Sequence, residues 1–138
     1  MELYLKTLAI LEHADQSHLQ DHDSRNLLAD LHDDTRKMLR ERWEQWVAAN
    51  PGWVASLMKV AESFPEFAHG VDCDQLIEQN AKAFEEWRYS HEFVGKRALP
   101  WTAQPFVSIV RGLIVERKPE WASHVDHFRS GVFRFIVR

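Results

Sequence analysis

Apolar residues recur at helical spacing along most of this chain, and little interrupts the pattern. Only five Gly and five Pro occur in 138 residues, and the only strand-like run covers residues 131–137. Apolar positions three and four apart predict amphipathic helices. A chain of this length can bury about 68–70% of its unfolded surface, so one domain can hold its own core. We therefore expect an all-α, up-and-down helical bundle of about five to six helices.

Capping and breaking residues predict where the helices begin and end. Asp23 or Ser24, and later Asp72 or Asp74, are suited to cap the helices that follow them. Residues 1–117 are expected to form the bundle, and residues 118–138 a C-terminal extension packed on the same domain. The predicted helices cover residues 2–14, 24–49 with a break near 33–34, 53–64, 74–94 and 102–117.

Composition excludes several classes of protein. The net charge of −4 argues against a general nucleic-acid coat protein, although a local basic groove remains compatible with it. The single cysteine, Cys73, rules out a disulfide within the chain and a cysteine-based zinc site. Its neighbours Asp72 and Asp74 predict a raised thiol pKa and an unreactive thiol. No signal peptide or membrane span is recognisable, and a reducing cytoplasm is the expected compartment.

The first predicted helix is apolar on nearly all sides. Only Glu2 and Lys6 interrupt the pattern, four residues apart and therefore on one face. A helix of this kind is buried on most sides. We expect either that the chain forms a homodimer over this helix, or that a preceding helix is missing from this start site.

Residues 81–92, AKAFEEWRYSHE, combine aromatic and charged side chains within a short stretch of predicted helix. Arg88 has Glu85 and Glu92 at helical spacing on either side. It can either present its guanidinium to a phosphate or carboxylate ligand, or form a structural salt bridge. If the protein is catalytic, Arg88 and His91 are the first candidate pair.

Two further patterns involve histidine. Arg25 and His32 are separated by six residues, a spacing used by some RNA-cleaving helical domains, and they are the alternative catalytic pair. Chance produces about as many arginine–histidine matches, so the spacing alone is not diagnostic. His18 and His22 are four apart, but their segment is typical of a polar surface loop. No metal-binding motif is present, and we predict neither a metal nor a cofactor.

Three segments occur in an order that resembles a known family: ELYLKTLAILE (2–12), HDSRNLLADL (22–31) and AFEEWRYSHE (83–92). They are similar to motifs of the HEPN-like helical domains of bacteria, across residues 2–116. The chain departs from the pattern at His91, where the family often has Tyr, and at Ser24–Arg25, which replace an apolar residue. The matching positions are Glu2, Lys6, His22, Asp23, Trp87, Arg88, Tyr89 and Glu92.

The resemblance implies a helical bundle that commonly forms homodimers. Members include ribonuclease toxins, partners of nucleotidyltransferases and catalytically silent modules. It suggests Lys6, His22, Tyr89 and Glu92 as ligand-binding positions, with RNA or a nucleotide as the ligand. We expect an accessory or toxin-type component of a bacterial defence or toxin–antitoxin system, with a nucleotidyltransferase or antitoxin as partner. The alternatives are a metal-independent endoribonuclease and a structural oligomerisation domain.

Overall fold

The structure is a computed structural model that describes residues 1–13, 21–81 and 103–122. Two 3₁₀ helices, Pro65–Val71 and Pro119–Trp121, accompany the α-helices, and no strand occurs among the described residues. The all-α helical bundle is therefore confirmed. The described residues form six α-helices: α1 (Glu2–His13), α2 (Ser24–Ala29), α3 (Asp33–Ala49), α4 (Pro51–Ala61), α5 (Cys73–Gln79) and α6 (Gln104–Arg117).

One apolar core joins these helices. Helix α1 packs against α2 and α6, and α3 packs against α4, α5 and α6. Trp43 lies fully buried at the centre, where its ring contacts those of Trp46, Trp53 and Phe106. The Trp43 indole N–H also donates to the carbonyl oxygen of Val71 at 2.9 Å. Trp43 therefore belongs to the core, and Trp46 packs against it.

Helix α1 is buried on its inner face within a single chain. Leu5, Leu8 and Ala9 are fully buried against the neighbouring helices. Leu3 points the other way and keeps 75% of its surface exposed. The expected burial of α1 is thus achieved mostly by α2 and α6, while its outer face remains accessible.

Side-chain caps and prolines set most helix boundaries. The Asp23 carboxylate accepts from the backbone N–H of Arg25 at the start of α2, and Asp72 accepts from Gln75 at the start of α5. The break predicted near residues 33–34 lies just before α3, whose N-cap residue is His32. Helix α6 begins with Pro105 in its first turn, where a proline N–H is not needed.

One predicted helix is shorter than expected. The sequence predicts a continuous helix to about residue 94, but α5 ends at Gln79. The buried Asn80 adopts φ −103° and ψ 10°, and its side-chain amide donates to the carbonyl oxygen of Leu76 at 2.8 Å. The carbonyl of Ala81 then accepts from the backbone N–H of Ser24, so the chain is tied to α2 there. This local competition for hydrogen bonds interrupts the helix.

The predicted strand-like run at 131–137 and most of the predicted C-terminal extension lie outside the described residues. None of the described helices has the length and apolar character needed to cross a membrane.

Candidate functional site

A cluster of charged side chains lies where the start of α1 meets the segment before α2. Glu2 and Lys6 are one helical turn apart, and the Glu2 Oε1 atom lies 2.9 Å from the Lys6 Nζ atom. The His22 Nδ1 atom donates to the same Glu2 oxygen at 2.9 Å. Lys6 is buried, whereas the His22 side chain is 46% exposed. We call these three residues the Glu2 cluster.

The electrostatics of the Glu2 cluster favour an ionised carboxylate. Burial alone would raise the pKa of Glu2, but hydrogen bonds and charges from Lys6 and His22 outweigh it and lower the pKa below its ordinary value. The second carboxylate oxygen, Oε2, is buried and has no hydrogen-bond partner among the described residues. Since a buried acceptor is normally satisfied, this oxygen can receive a donor from a ligand.

Arg25 is engaged close to the Glu2 cluster but with other partners. Its guanidinium Nη2 lies 2.5 Å from the Asp23 carboxylate, and Nη1 lies 2.8 Å from Glu78 on α5. The hydrogen bonds that Arg25 donates to Asp23 and the charges of the Asp23 and Glu78 carboxylates raise the pKa of this guanidinium. Asp23 thus both caps α2 and holds Arg25, which links α2 to α5.

A second polar cluster surrounds Glu12 near the end of α1. The Glu12 Oε2 atom accepts from the backbone N–H of His32 at 2.7 Å. Its Oε1 atom accepts from Thr35 and from the Arg117 guanidinium, the latter at 2.7 Å. Arg117 also donates to the Thr35 hydroxyl. Burial would raise the pKa of Glu12, but these donors outweigh it and lower the pKa.

Two histidine rings lie beside Glu12. The rings of His13 and His32 meet edge to face, with centroids 4.8 Å apart. His13 donates from Nε2 to the carbonyl oxygen of Asp30 at 2.6 Å, which fixes its ring against the break between α2 and α3. Ligand atoms of Glu12, His13 and His32 all lie within 4.8 Å of one another. We call these three residues the Glu12 cluster.

The two clusters contain only some of the site residues that the sequence predicts. The structure brings Lys6 and His22 together on Glu2. Arg25 and His32 have different partners, since Arg25 binds Asp23 and Glu78 while His32 lies against His13 and Glu12. The remaining candidate residues lie outside the described residues, and their roles stay predictions: Arg88, Tyr89, His91 and Glu92.

Sequence reasoning missed the Glu12 cluster because its members lie far apart in the chain. His13 ends α1, His32 is the N-cap residue of α3, and Arg117 reaches Glu12 from α6. His13 occupies the last turn of α1, within the helix that the sequence predicts over residues 2–14. An acidic residue next to a histidine at a helix end was the only local signal.

A scan against protein-family models and searches of curated proteins and of solved structures found no match.

Proposed function

We propose that this chain is a small HEPN-like helical module of the accessory or toxin type, acting in a bacterial defence or toxin–antitoxin system. It would bind RNA or a nucleotide at the Glu2 cluster. One observation carries the proposal: the partly buried Glu2 carboxylate gathers a buried lysine and a half-exposed histidine from the two motifs that resemble the family.

The chemistry of the Glu2 cluster suits a ribonucleotide ligand. Ribose hydroxyls donate hydrogen bonds, and the Glu2 Oε2 atom is a buried acceptor that lacks a donor among the described residues. Phosphate oxygens accept hydrogen bonds, and His22 is a partly exposed donor at the rim of the cluster. Recognition of the 2′-hydroxyl is how a protein distinguishes RNA from DNA.

A metal-independent endoribonuclease is the second candidate, and a specific contact favours it. The Glu2 carboxylate holds the His22 ring at 2.9 Å, and a carboxylate can orient a histidine as a general base. His22 would then deprotonate the attacking 2′-hydroxyl. The 2′-oxygen would bond to phosphorus as the bond to the 5′-oxygen breaks and that oxygen takes up a proton. An arginine, Arg25 or Arg88, would stabilise the negative charge that develops on the non-bridging phosphate oxygens.

Binding and cleavage can be tested on the full chain with one variant and one control. The probe is a short, fluorescently labelled single-stranded RNA, incubated with EDTA to remove metal ions. We expect His22→Ala to weaken RNA binding by about tenfold or more, which corresponds to about 1.4 kcal/mol. The control is His69→Ala, because His69 is an exposed histidine on the first 3₁₀ helix, and this variant should bind like the wild type.

The outcomes separate the candidates. Binding without cleavage supports the accessory module. Cleavage that falls by about 10²–10⁴-fold in His22→Ala supports the endoribonuclease. If the wild type neither binds nor cleaves RNA, or if His22→Ala behaves like the wild type in both assays, the Glu2 cluster is not the site. The structural oligomerisation domain then becomes the better interpretation.

A further inference from the structure

We propose that the Glu12 cluster binds a divalent transition metal ion of the zinc type. The inference does not rest on the proposed function, because it concerns other residues at the opposite end of α1. The donors would be one carboxylate oxygen of Glu12 and one ring nitrogen each from His13 and His32. Two histidines and a glutamate are a donor set that zinc sites use, with a further position open to water.

The separations are close to those that an ion requires. The candidate ligand atoms lie within 4.8 Å of one another. Ligands at about 2.0–2.1 Å from a tetrahedral zinc ion are about 3.3 Å apart. Both histidines are exposed residues, and the His32 side chain is 60% exposed. The His32 ring can therefore turn toward an ion beside His13 and Glu12 without any rearrangement of the core.

The Glu12 carboxylate is held in place for such a role. Its side chain is only 4% exposed. The two oxygens are used differently: Oε1 faces Arg117 and Thr35, whereas Oε2 faces His32, whose Nδ1 atom lies 3.9 Å away. The oxygen that would meet a metal is therefore the one turned away from the arginine.

Outer contacts also orient the ligands, as is usual around metal sites. His13 donates to the carbonyl oxygen of Asp30, which fixes the position of the Nε2 proton and the plane of the ring. The backbone N–H of His32 donates to Glu12, so the carboxylate and the chain carrying the second histidine are tied together. The polypeptide thus positions the Glu12 and His13 side chains and the backbone of His32 before any ion arrives.

The local charge is compatible with a cation. Arg117 neutralises the charge of Glu12. Three further acidic residues lie close to His32 in the sequence: Asp30 before it, and Asp33 and Asp34 after it. Asp33 is paired with Arg36 on α3. Imidazole donors favour zinc and its neighbours in the transition series over magnesium and calcium, which prefer oxygen ligands. Zinc should therefore bind, and magnesium should not compete with it.

The test is zinc titration by calorimetry on the full chain after removal of metal ions with EDTA. We expect one zinc ion per chain in the wild type and no displacement by excess magnesium. His13→Ala and His32→Ala should each weaken zinc binding by at least tenfold, since even loss of an outer contact costs about 10–100-fold. The control is His69→Ala, which removes an exposed histidine elsewhere and should bind zinc like the wild type.

Cobalt provides a second measurement on the same proteins. Cobalt(II) in a tetrahedral site gives strong visible absorption, which should appear in the wild type and His69→Ala and be lost in both cluster variants. Thermal melting checks that each variant is folded, and His32→Ala keeps the backbone contact to Glu12. If His13→Ala fails to fold, His32→Ala decides alone. A wild type that does not bind zinc, or a folded cluster variant that binds it as tightly as the wild type, overturns the site.

Discussion

Glu2 holds two side chains through one carboxylate oxygen, and this contact makes stability depend on pH. The ordinary pKa of the group is 4.5, and its pKa in the folded chain is lower. The stability that ionised Glu2 contributes is therefore complete above its ordinary pKa. This stability is lost as the pH falls through the pKa of Glu2 in the folded chain. We expect Glu2→Gln to lower the free energy of unfolding at pH 7 by about 3 kcal/mol, the low end for breaking a buried pair.

Urea unfolding of wild type and Glu2→Gln at pH 7 and at steps below pH 4.5 measures this effect. The difference between the two proteins should shrink as the pH falls. Glu41→Gln is the matched control, because Glu41 is exposed and lies 3.9 Å from Lys37, and it should cost about 0–1 kcal/mol. A constant difference across the pH range would show that the charge of Glu2 is not what stabilises the fold.

For single residues, contacts between neighbours in the sequence were predictable, and contacts between residues far apart in the sequence were not. The four-residue interval between Glu2 and Lys6 places both on one helix face, and an i,i+4 pair follows directly. The contact from Arg117 to Glu12 spans 105 residues. Such a contact depends on how α6 packs against α1, which no local pattern encodes. The predicted site around Arg88 remains a prediction, since it lies outside the described residues.

The helix α5 illustrates how a single cap supports an element. Seven residues are too few for a helix to be stable alone, so its start depends on the cap and on packing. The Asp72 carboxylate accepts from the backbone N–H of Gln75 at 2.8 Å. We expect Asp72→Ala to lower the free energy of unfolding by about 1 kcal/mol. Thermal or urea unfolding measures the change.

Asp72→Asn is the matched variant for this cap. Asparagine accepts the same hydrogen bond but carries no charge, so it should retain most of the stability. The removal of charge should also lower the pKa of Cys73, which burial and then the neighbouring Asp74 and Asp72 raise to about 12. Equal losses in Asp72→Ala and Asp72→Asn would indicate that charge, rather than capping, stabilises the start of α5.

Helix boundaries were predictable from the sequence where a capping residue lies at the boundary itself. Asp23 and Asp72 were both identified as candidate caps, and the structure places the starts of α2 and α5 there. The end of α5 was missed because Asn80 is compatible with a helix interior. Its role depends on burial and on the bond between Ala81 and Ser24, which belongs to a distant helix. Tertiary contact overrode the local pattern at this point.

For the whole molecule, the fold class was predictable from the sequence, but the way the helices pack against one another was not. Periodicity gave helices, and a chain with apolar helices must pack them into a bundle. Periodicity could not show that Trp43 would lie at the centre of the core, with Trp46, Trp53 and Phe106 around it. Those rings come from three helices, and their contacts result from how the helices cross. Which helix surfaces remain exposed to a partner also depends on how the helices cross, so periodicity does not predict it either.

The open surface of α1 carries the last prediction, a homodimer. Leu3 is 75% exposed on the side of α1 away from the buried Leu5 and Leu8. Thr7 and Ile10 lie on the same face at helical spacing and are partly buried. A two-fold dimer would place this face against its own copy and cover Leu3. We expect light scattering at micromolar concentration to give twice the 16.2 kDa mass of one chain.

Substitution within this face tests the dimer directly. Leu3→Asp would place a charge in the interface, so the measured mass should fall to that of one chain while thermal melting shows a folded protein. Met58→Asp is the matched control, because Met58 is an exposed apolar residue on α4, and its dimer should persist. If both variants are monomeric, α1 does not provide a specific interface. A wild type that stays monomeric at all concentrations tested means that α1 is covered sufficiently by α2 and α6 within one chain.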